Sequence, residues 1–252
     1  MSLQRPEFST FQDLFDAAQG TPEKRAAWLQ RRQEQEQAEV DKRVRDGWMR
    51  YASRISDLGE RFAARTFENY NVPPGDAKAL ATAMELVEDV SRGAWFYGTF
   101  GIGKSHLGGA TVHALLELKI PATFVTAGGL IDRLKATYDK TGNVRDGESD
   151  IIRNMVQIPY LFVDDLDKIV LTEWSAQKLY MLVNGRYEAK RGIGLSSNLS
   201  PSDLRIQWAK RLARNAEDKN ELLPTLIGSI YDRLIEMTTI VRVVGESQRE
   251  SA

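Results

Sequence analysis

Eight consecutive residues, Gly98-Thr99-Phe100-Gly101-Ile102-Gly103-Lys104-Ser105, carry the spacing Gly-x-x-x-x-Gly-Lys-Ser, and that spacing points to phosphate chemistry. Glycines let successive backbone N–H groups curl around phosphate oxygens. A lysine after the last glycine reaches the terminal phosphates, and the serine hydroxyl that follows is a ligand for Mg²⁺. A second motif, Leu161-Phe162-Val163-Asp164-Asp165, is an apolar run ending in two carboxylates. Asp164 is expected to hold the magnesium, directly or through water, and Asp165 to orient the attacking water. Each motif alone has a bland reading: a glycine turn beside a chance lysine, or an ordinary strand end. Together they point to a nucleoside triphosphate with Mg²⁺, Ser105 and Asp164 being the metal-side residues.

Those residues must be positioned by a sheet. Ala94–Tyr97, Ala122–Thr126, Tyr160–Val163 and Ile193–Ser197 read as short buried strands. Between them, helices are expected over about 104–118, 130–138, 151–157 and 173–189, with another over 78–90 ahead of the first strand. Strands alternating with helices give a mostly parallel sheet covered on both faces, an α/β fold with its ligand site at the carboxyl edge. Residues 139–148 read as a polar loop, and Asn71 to Asp76 as a turn. Asn198, just past the last of these strands, reads on its own as a loop cap.

The first 66 residues differ in character. Thr21-Pro22-Glu23 is a helix start, with a cap, a proline at the first position and an early acid. The stretch from there to about Phe67 is rich in Glu, Gln, Arg, Lys and Ala, which predicts a long helical arm with a break near Gly47. Its two readings are a solvated helix with a few anchors (Trp28, Trp48, Tyr51) and a partner-binding module. Phe8, Phe11 and Phe15 form a possible docking turn ahead of it. Further on, 204–216 reads as a helix. The basic positions Lys210, Arg211, Arg214 and Lys219 suit either phosphate contacts or a solvated face.

Bulk properties remove several classes. The chain has 252 residues, a net charge of -1 and no cysteine, so thiolate zinc sites and disulfides are excluded. Its two histidines, His106 and His113, cannot form a metal cluster by themselves. No signal peptide or membrane-length apolar run is visible, so a cytoplasmic protein without membrane contact is expected.

The ordered set of motifs resembles the DnaC/DnaI type of replicative helicase loader, within the AAA+ ATPases. The resemblance rests on Arg65-Thr66-Phe67-Glu68-Asn69-Tyr70, Phe96 through Leu107, Phe124-Val125-Thr126 with Leu130–Leu134, Asp164-Asp165-Leu166, Ser197-Asn198-Leu199-Ser200, Asp232-Arg233-Leu234 and Gly245–Arg249. It spans about residues 62–249. It implies an AAA+ P-loop domain over 67–249 preceded by a helicase-docking helical region over 1–66, with ATP as the nucleotide and His106 among the loop contacts. It further implies Asn198 as a sensor and Arg233 as an arginine finger that completes a neighbouring copy's site, hence self-association through ATPase domains. The implied partners are a DnaB-type hexameric helicase and single-stranded DNA, with Arg153, Lys168, Arg186 and Lys190 as contact positions. Ser229 stands where such loaders often carry arginine, which thins the finger motif. IstB-like transposition ATPases share the core and imply double-stranded DNA and a transposase instead. A nucleotide-gated adaptor with little turnover is a third reading, because Asp165 is one methylene shorter than glutamate.

Overall fold

The computed structural model describes residues 21–59, 64–72, 77–138, 146–214 and 222–245. The aromatic docking turn at Phe8–Phe15, the turn at 73–76, most of the polar loop and Lys219 lie outside these. Two compact units are distinguished, Met1–Gly47 and Trp48–Ala252. The described part of the first unit is the start of helix α1 (Pro22–Ile55). It is exposed almost throughout and is laced by i,i+4 contacts such as Arg32 to Glu36 at 2.9 Å and Gln37 to Asp41 at 2.8 Å, pairs that support a helix with little to bury. The helix passes through Gly47 without the expected break and ends at Ile55. One glycine lowers helix stability by only about 1 kcal/mol, which the surrounding Glu, Lys and Arg residues offset.

The second unit is built on five parallel strands, β1 (Gly93–Tyr97), β2 (Ala122–Thr126), β3 (Tyr160–Asp164), β4 (Ile193–Ser197) and β5 (Thr238–Arg242), in the order β2-β3-β4-β1-β5. Alternation along the strands splits the core in two. Phe96, Phe124, Tyr160 and Phe162 face one side, where helices α2 (Ala77–Glu88) and α3 (Lys104–Glu117) contribute Leu86, Leu107 and Leu115. Trp95, Val125, Leu161, Val163 and Leu195 face the other. That side is covered by α4 (Ala127–Ala136), α5 (Glu148–Gln157), α6 (Glu173–Glu188), α7 (Pro201–Arg214) and α8 (Leu222–Met237). Buried on both faces, β1 to β4 read as apolar runs rather than as an alternating pattern, whereas β5 at the edge is partly exposed.

Two close approaches set the helix above the sheet. Phe162 stacks on Phe124 at 5.3 Å and 7°. A Cβ on Gly108 of α3 would lie 2.3 Å from the Phe162 ring, and one on Gly194 of β4 equally close. Glycine at both positions is what lets the ring sit between helix and strand.

Several helices begin earlier than the hydrophobic pattern indicates. α4 starts at Ala127 because Thr126 caps it, its hydroxyl accepting from Gly129 N at 3.0 Å. α5 starts at Glu148 because Asp150 reaches back to Gly147 N at 3.3 Å. α7 starts at Pro201 behind Ser200, whose hydroxyl accepts from Asp203 N at 3.1 Å. Polar caps, not apolar spacing, fix these ends.

Candidate nucleotide site

The three motifs sit at the carboxyl ends of neighbouring strands. β1 runs into the glycine loop, β3 ends at Asp164, and β4 ends just before Asn198, with β4 between the other two. The loop needs its glycines for definite reasons. Gly98 has φ 149°, and a Cβ there would lie 2.5 Å from Val243 O. Gly103 has φ 98° and would meet the Tyr70 ring at 2.7 Å. Ile102 is buried beneath the loop, whereas Phe100 is 60% exposed at its tip. The side chains of Thr99, Phe100 and Ile102 are therefore not the cradle. What they offer a phosphate is backbone N–H groups, together with the N-terminus of α3.

Lys104, first residue of α3, is buried. Its ammonium donates to Gly98 O at 2.9 Å, Thr99 O at 2.7 Å and Asn198 Oδ1 at 3.0 Å. Ser105 donates its hydroxyl to Asp164 Oδ1 at 2.9 Å. Ser196 of β4 donates to the same oxygen and accepts from Asp165 N at 2.9 Å. Asp165 itself occupies the left-handed region, φ 55°, a turn that aspartate tolerates and that breaks the strand. Burial, with a further push from the Asp165 charge, raises the Asp164 carboxyl from 3.8 to about 6, against the hydrogen bonds from Ser196 and Ser105 and the nearby Lys104 charge. A buried carboxylate short of positive charge, touching a serine hydroxyl, fits Mg²⁺. That ion takes one or two protein oxygens and fills its remaining positions with phosphate and water. Among the described residues no group of three or more His, Cys, Asp or Glu is placed to hold a metal ion by itself.

The His106 ring is held by the Arg65–Tyr70 segment. Its Nε2 meets Thr66 O at 2.8 Å, so that nitrogen carries the proton and Nδ1 faces Arg65 at 3.5 Å as an acceptor. Burial first, and Arg65 after it, depress its basicity despite the Thr66 carbonyl. Tyr70 packs edge-on against the ring at 5.2 Å. The Arg65–Tyr70 segment is thereby pinned beside the loop. A cleft of about 450 Å³ opens on the other side, bordered by Gly98, Thr99, Asn198, Asp203 and Arg242.

Two residues that touch this arrangement escape the sequence reading. Asp167 is buried in a short 3₁₀ turn, Leu166–Lys168, and holds Asn198. Ser196 reads only as a strand position. The third acid of Asp164-Asp165-Leu166-Asp167 was the available signal for the first; nothing in the sequence marks the second. Arg233 lies on α8, half-buried, its guanidinium 5.3 Å from the Tyr180 ring and 5.6 Å from the Tyr187 ring. Of the positions implied for single-stranded DNA, Arg186 is corrected. It is fully buried and donates to backbone carbonyls, which puts its guanidinium out of reach of a phosphate backbone. Arg153 pairs with Asp150 at 2.5 Å, Lys168 lies 4.9 Å from the Phe100 ring, and Lys190 is exposed.

Residues 11–252 match the family model described as "IstB-like ATP binding protein". The chain belongs to the IstB-like ATP-binding family. Within it the chain is an AAA+ P-loop ATPase of the DnaA/DnaC/DnaI/IstB group, an ATP-hydrolysing enzyme. It is 24% identical over 238 residues to "Replicative helicase loader DnaC" of Buchnera aphidicola subsp. Schizaphis graminum, covering 92% of this chain and 90% of that protein. Among solved structures it is similar to that of the DnaC helicase loader (25% identity, TM-score 0.56, 74% of this chain and 100% of that one). It also resembles the crystal structure of DnaI in fold (16% identity, TM-score 0.60, 77% and 95%). The IstB-like chain has a parallel sheet, flanking helices and an N-terminal helical segment. No described helix is long and apolar enough to cross a membrane.

Proposed function

We propose that the chain is an ATP-gated accessory ATPase of the IstB-like kind. Mg²⁺-ATP joins ATPase domains side by side on double-stranded DNA, the assembly engages a transposase, and hydrolysis resets it. The observation that carries this reading is the family match running from residue 11 to residue 252, well beyond the phosphate loop. A second reading, loading of a DnaB-type hexameric helicase onto single-stranded DNA, is favoured by the similarity to DnaC over 92% of the chain. The family match supports the first more directly.

In either case the proposed roles are the same. Lys104 binds the terminal phosphates, Ser105 and Asp164 hold Mg²⁺, and Asp165 orients the attacking water. Asn198 monitors the γ-phosphate side, and Arg233 reaches a neighbouring copy's ATP, where its charge stabilises phosphoryl transfer. The 1–66 region is the partner-docking part and 67–249 the ATPase part.

The test is the mass of complexes by light scattering with ATP, ADP or no nucleotide. One arm contains the transposase and duplex DNA from the same genome, the other the replicative helicase and single-stranded DNA. An ATP-dependent complex in the first arm alone supports the IstB-like reading. A complex in the second arm alone that needs residues 1–66 replaces it with loading. No complex in either arm refutes both.

A further inference from the structure

Asn198 leaves β4 between two groups of opposite charge. On one side its backbone N–H donates to Asp167 Oδ1 at 2.9 Å. Its side-chain Nδ2 donates to Asp167 Oδ1 at 3.2 Å and to Oδ2 at 3.0 Å. On the other side its Oδ1 accepts from the Lys104 ammonium at 3.0 Å. The neighbours leave no freedom in the amide. A carboxylate only accepts and an ammonium only donates, so turning the amide over would set oxygen against oxygen at Asp167 and NH₂ against ammonium at Lys104. The Asp167 side chain is 8% exposed, so water competes little with these charge-assisted bonds.

A buried acid just past a strand is commonly a loop cap, and the bond from Asn198 N would suffice for that. The two further bonds to Nδ2 go beyond a cap, because they set the direction of the side chain that meets the phosphate-loop lysine. We infer that Asp167 is a positioning residue for ATP hydrolysis, locking Asn198 with its amide oxygen toward the phosphate loop. Held this way, Asn198 meets the Lys104 ammonium as an acceptor and aims it. This rests on Lys104 and Asn198 belonging to the ATP site, as proposed above.

The side-chain oxygens also predict which replacement is tolerated. Oδ1 alone accepts from both Asn198 donors. An Asp167→Asn variant can keep the two bonds to that oxygen but sets its own NH₂ against Asn198 Nδ2 where Oδ2 accepted at 3.0 Å, so it holds the amide less firmly than aspartate, whereas Asp167→Ala keeps none of the three bonds.

The experiment measures kcat and KM for ATP, and the affinity of a non-hydrolysable ATP analogue, in the full chain. The variants are Asp167→Ala, Asp167→Asn, Asn198→Ala and the Asp167→Ala/Asn198→Ala double. Asp167→Ala is expected to lower kcat roughly 10- to 100-fold, with KM and analogue affinity within about threefold. Asp167→Asn, which keeps the Oδ1 bonds, is expected to lose clearly less of kcat than Asp167→Ala, and the double variant to be no slower than Asn198→Ala alone. An unchanged kcat in Asp167→Ala, equal losses in the Asn and Ala variants, or an Asp167→Ala loss that persists in full without Asn198 each overturns the proposal.

A turnover-independent readout separates this from the ATPase reading. The Asn198 side-chain NH₂ signals, seen by NMR with labelled asparagine, should be resolved and slow to exchange, and should lose that protection in Asp167→Ala. If the unaltered protein releases no phosphate, the ATPase assignment fails. Asn198 signals indifferent to Asp167 would overturn the positioning role whether or not there is turnover.

Discussion

Lys104 and Arg186 are both buried cations held by carbonyl oxygens, and they belong to regions with opposite purposes. Arg186, in the last turn of α6, spreads its guanidinium over the carbonyls of Met155, Val156, Ile158, Pro159 and Gly192. Met155 and Val156 are in the last turn of α5, where helix carbonyls lack internal partners. One planar fork thus closes a helix end and ties it to the strand entries at 159 and 192. Burial lowers its basicity to about 9, so it stays charged at neutral pH. Lys104 donates to carbonyls of its own loop, Gly98 and Thr99, but also to a side chain, Asn198, just past the end of β4. A guanidinium satisfied by five fixed carbonyls is a structural element. An ammonium on a flexible stem can exchange its acceptors for phosphate oxygens.

The comparison breaks if the two cations respond alike to removal. Arg186→Ala orphans several buried carbonyls and should destabilise the fold by about 3–5 kcal/mol, read by urea denaturation. Arg186→Lys should recover only part of that, since an ammonium cannot span the same carbonyls. Lys104→Ala should shift stability by no more than about 1 kcal/mol while lowering ATP turnover on the order of 100-fold or more.

Asp164 sharpens the contrast from the acidic side. Its folded pKa, about 6, lies above the usual 3.8, so the folded state holds the proton more tightly and stability falls as pH rises between these values. Above pH 6 the buried charge costs on the order of 2–3 kcal/mol. Asp164→Asn should therefore be more stable than the unaltered protein near neutral pH and equal to it below about pH 4, by thermal denaturation across pH. Turnover should be lost in the same variant, because the proposed magnesium ligand is gone. Such a trade marks a site residue, where Arg186 shows none.

Smaller effects belong to the scaffold around the loop. Gly103→Ala meets both a positive φ and the Tyr70 ring and should cost about 1–3 kcal/mol, with weaker analogue binding as the loop shifts. Thr126→Ala removes the cap of α4 and should cost about 1 kcal/mol with turnover unchanged, checked by denaturation and phosphate release together.

Which of these residues the sequence could reveal follows from where the signal resides. The phosphate loop and Asp164-Asp165 are legible because their chemistry needs residue types at fixed spacings along the chain. The strands β1 to β4 are legible as short apolar runs. Arg186 misleads, because a charged residue in a helix reads as surface, and only its approach to carbonyls more than twenty residues away explains it. Ser196 is invisible and Asp167 is marked only as a third acid for a related reason: each works through a partner on another strand end. β5 and α8 were not read as elements at all. Thr238–Arg242 follows Met237 without any loop, leaving no turn residue to mark the change of period.

The most direct test of the central claim is phosphate release from Mg²⁺-ATP, in the presence of DNA, by the unaltered chain and by Lys104→Ala. The account predicts steady release that Lys104→Ala abolishes while its melting transition stays in place. Equal release by both proteins would place the ATPase activity somewhere other than the 98–105 loop and contradict the account.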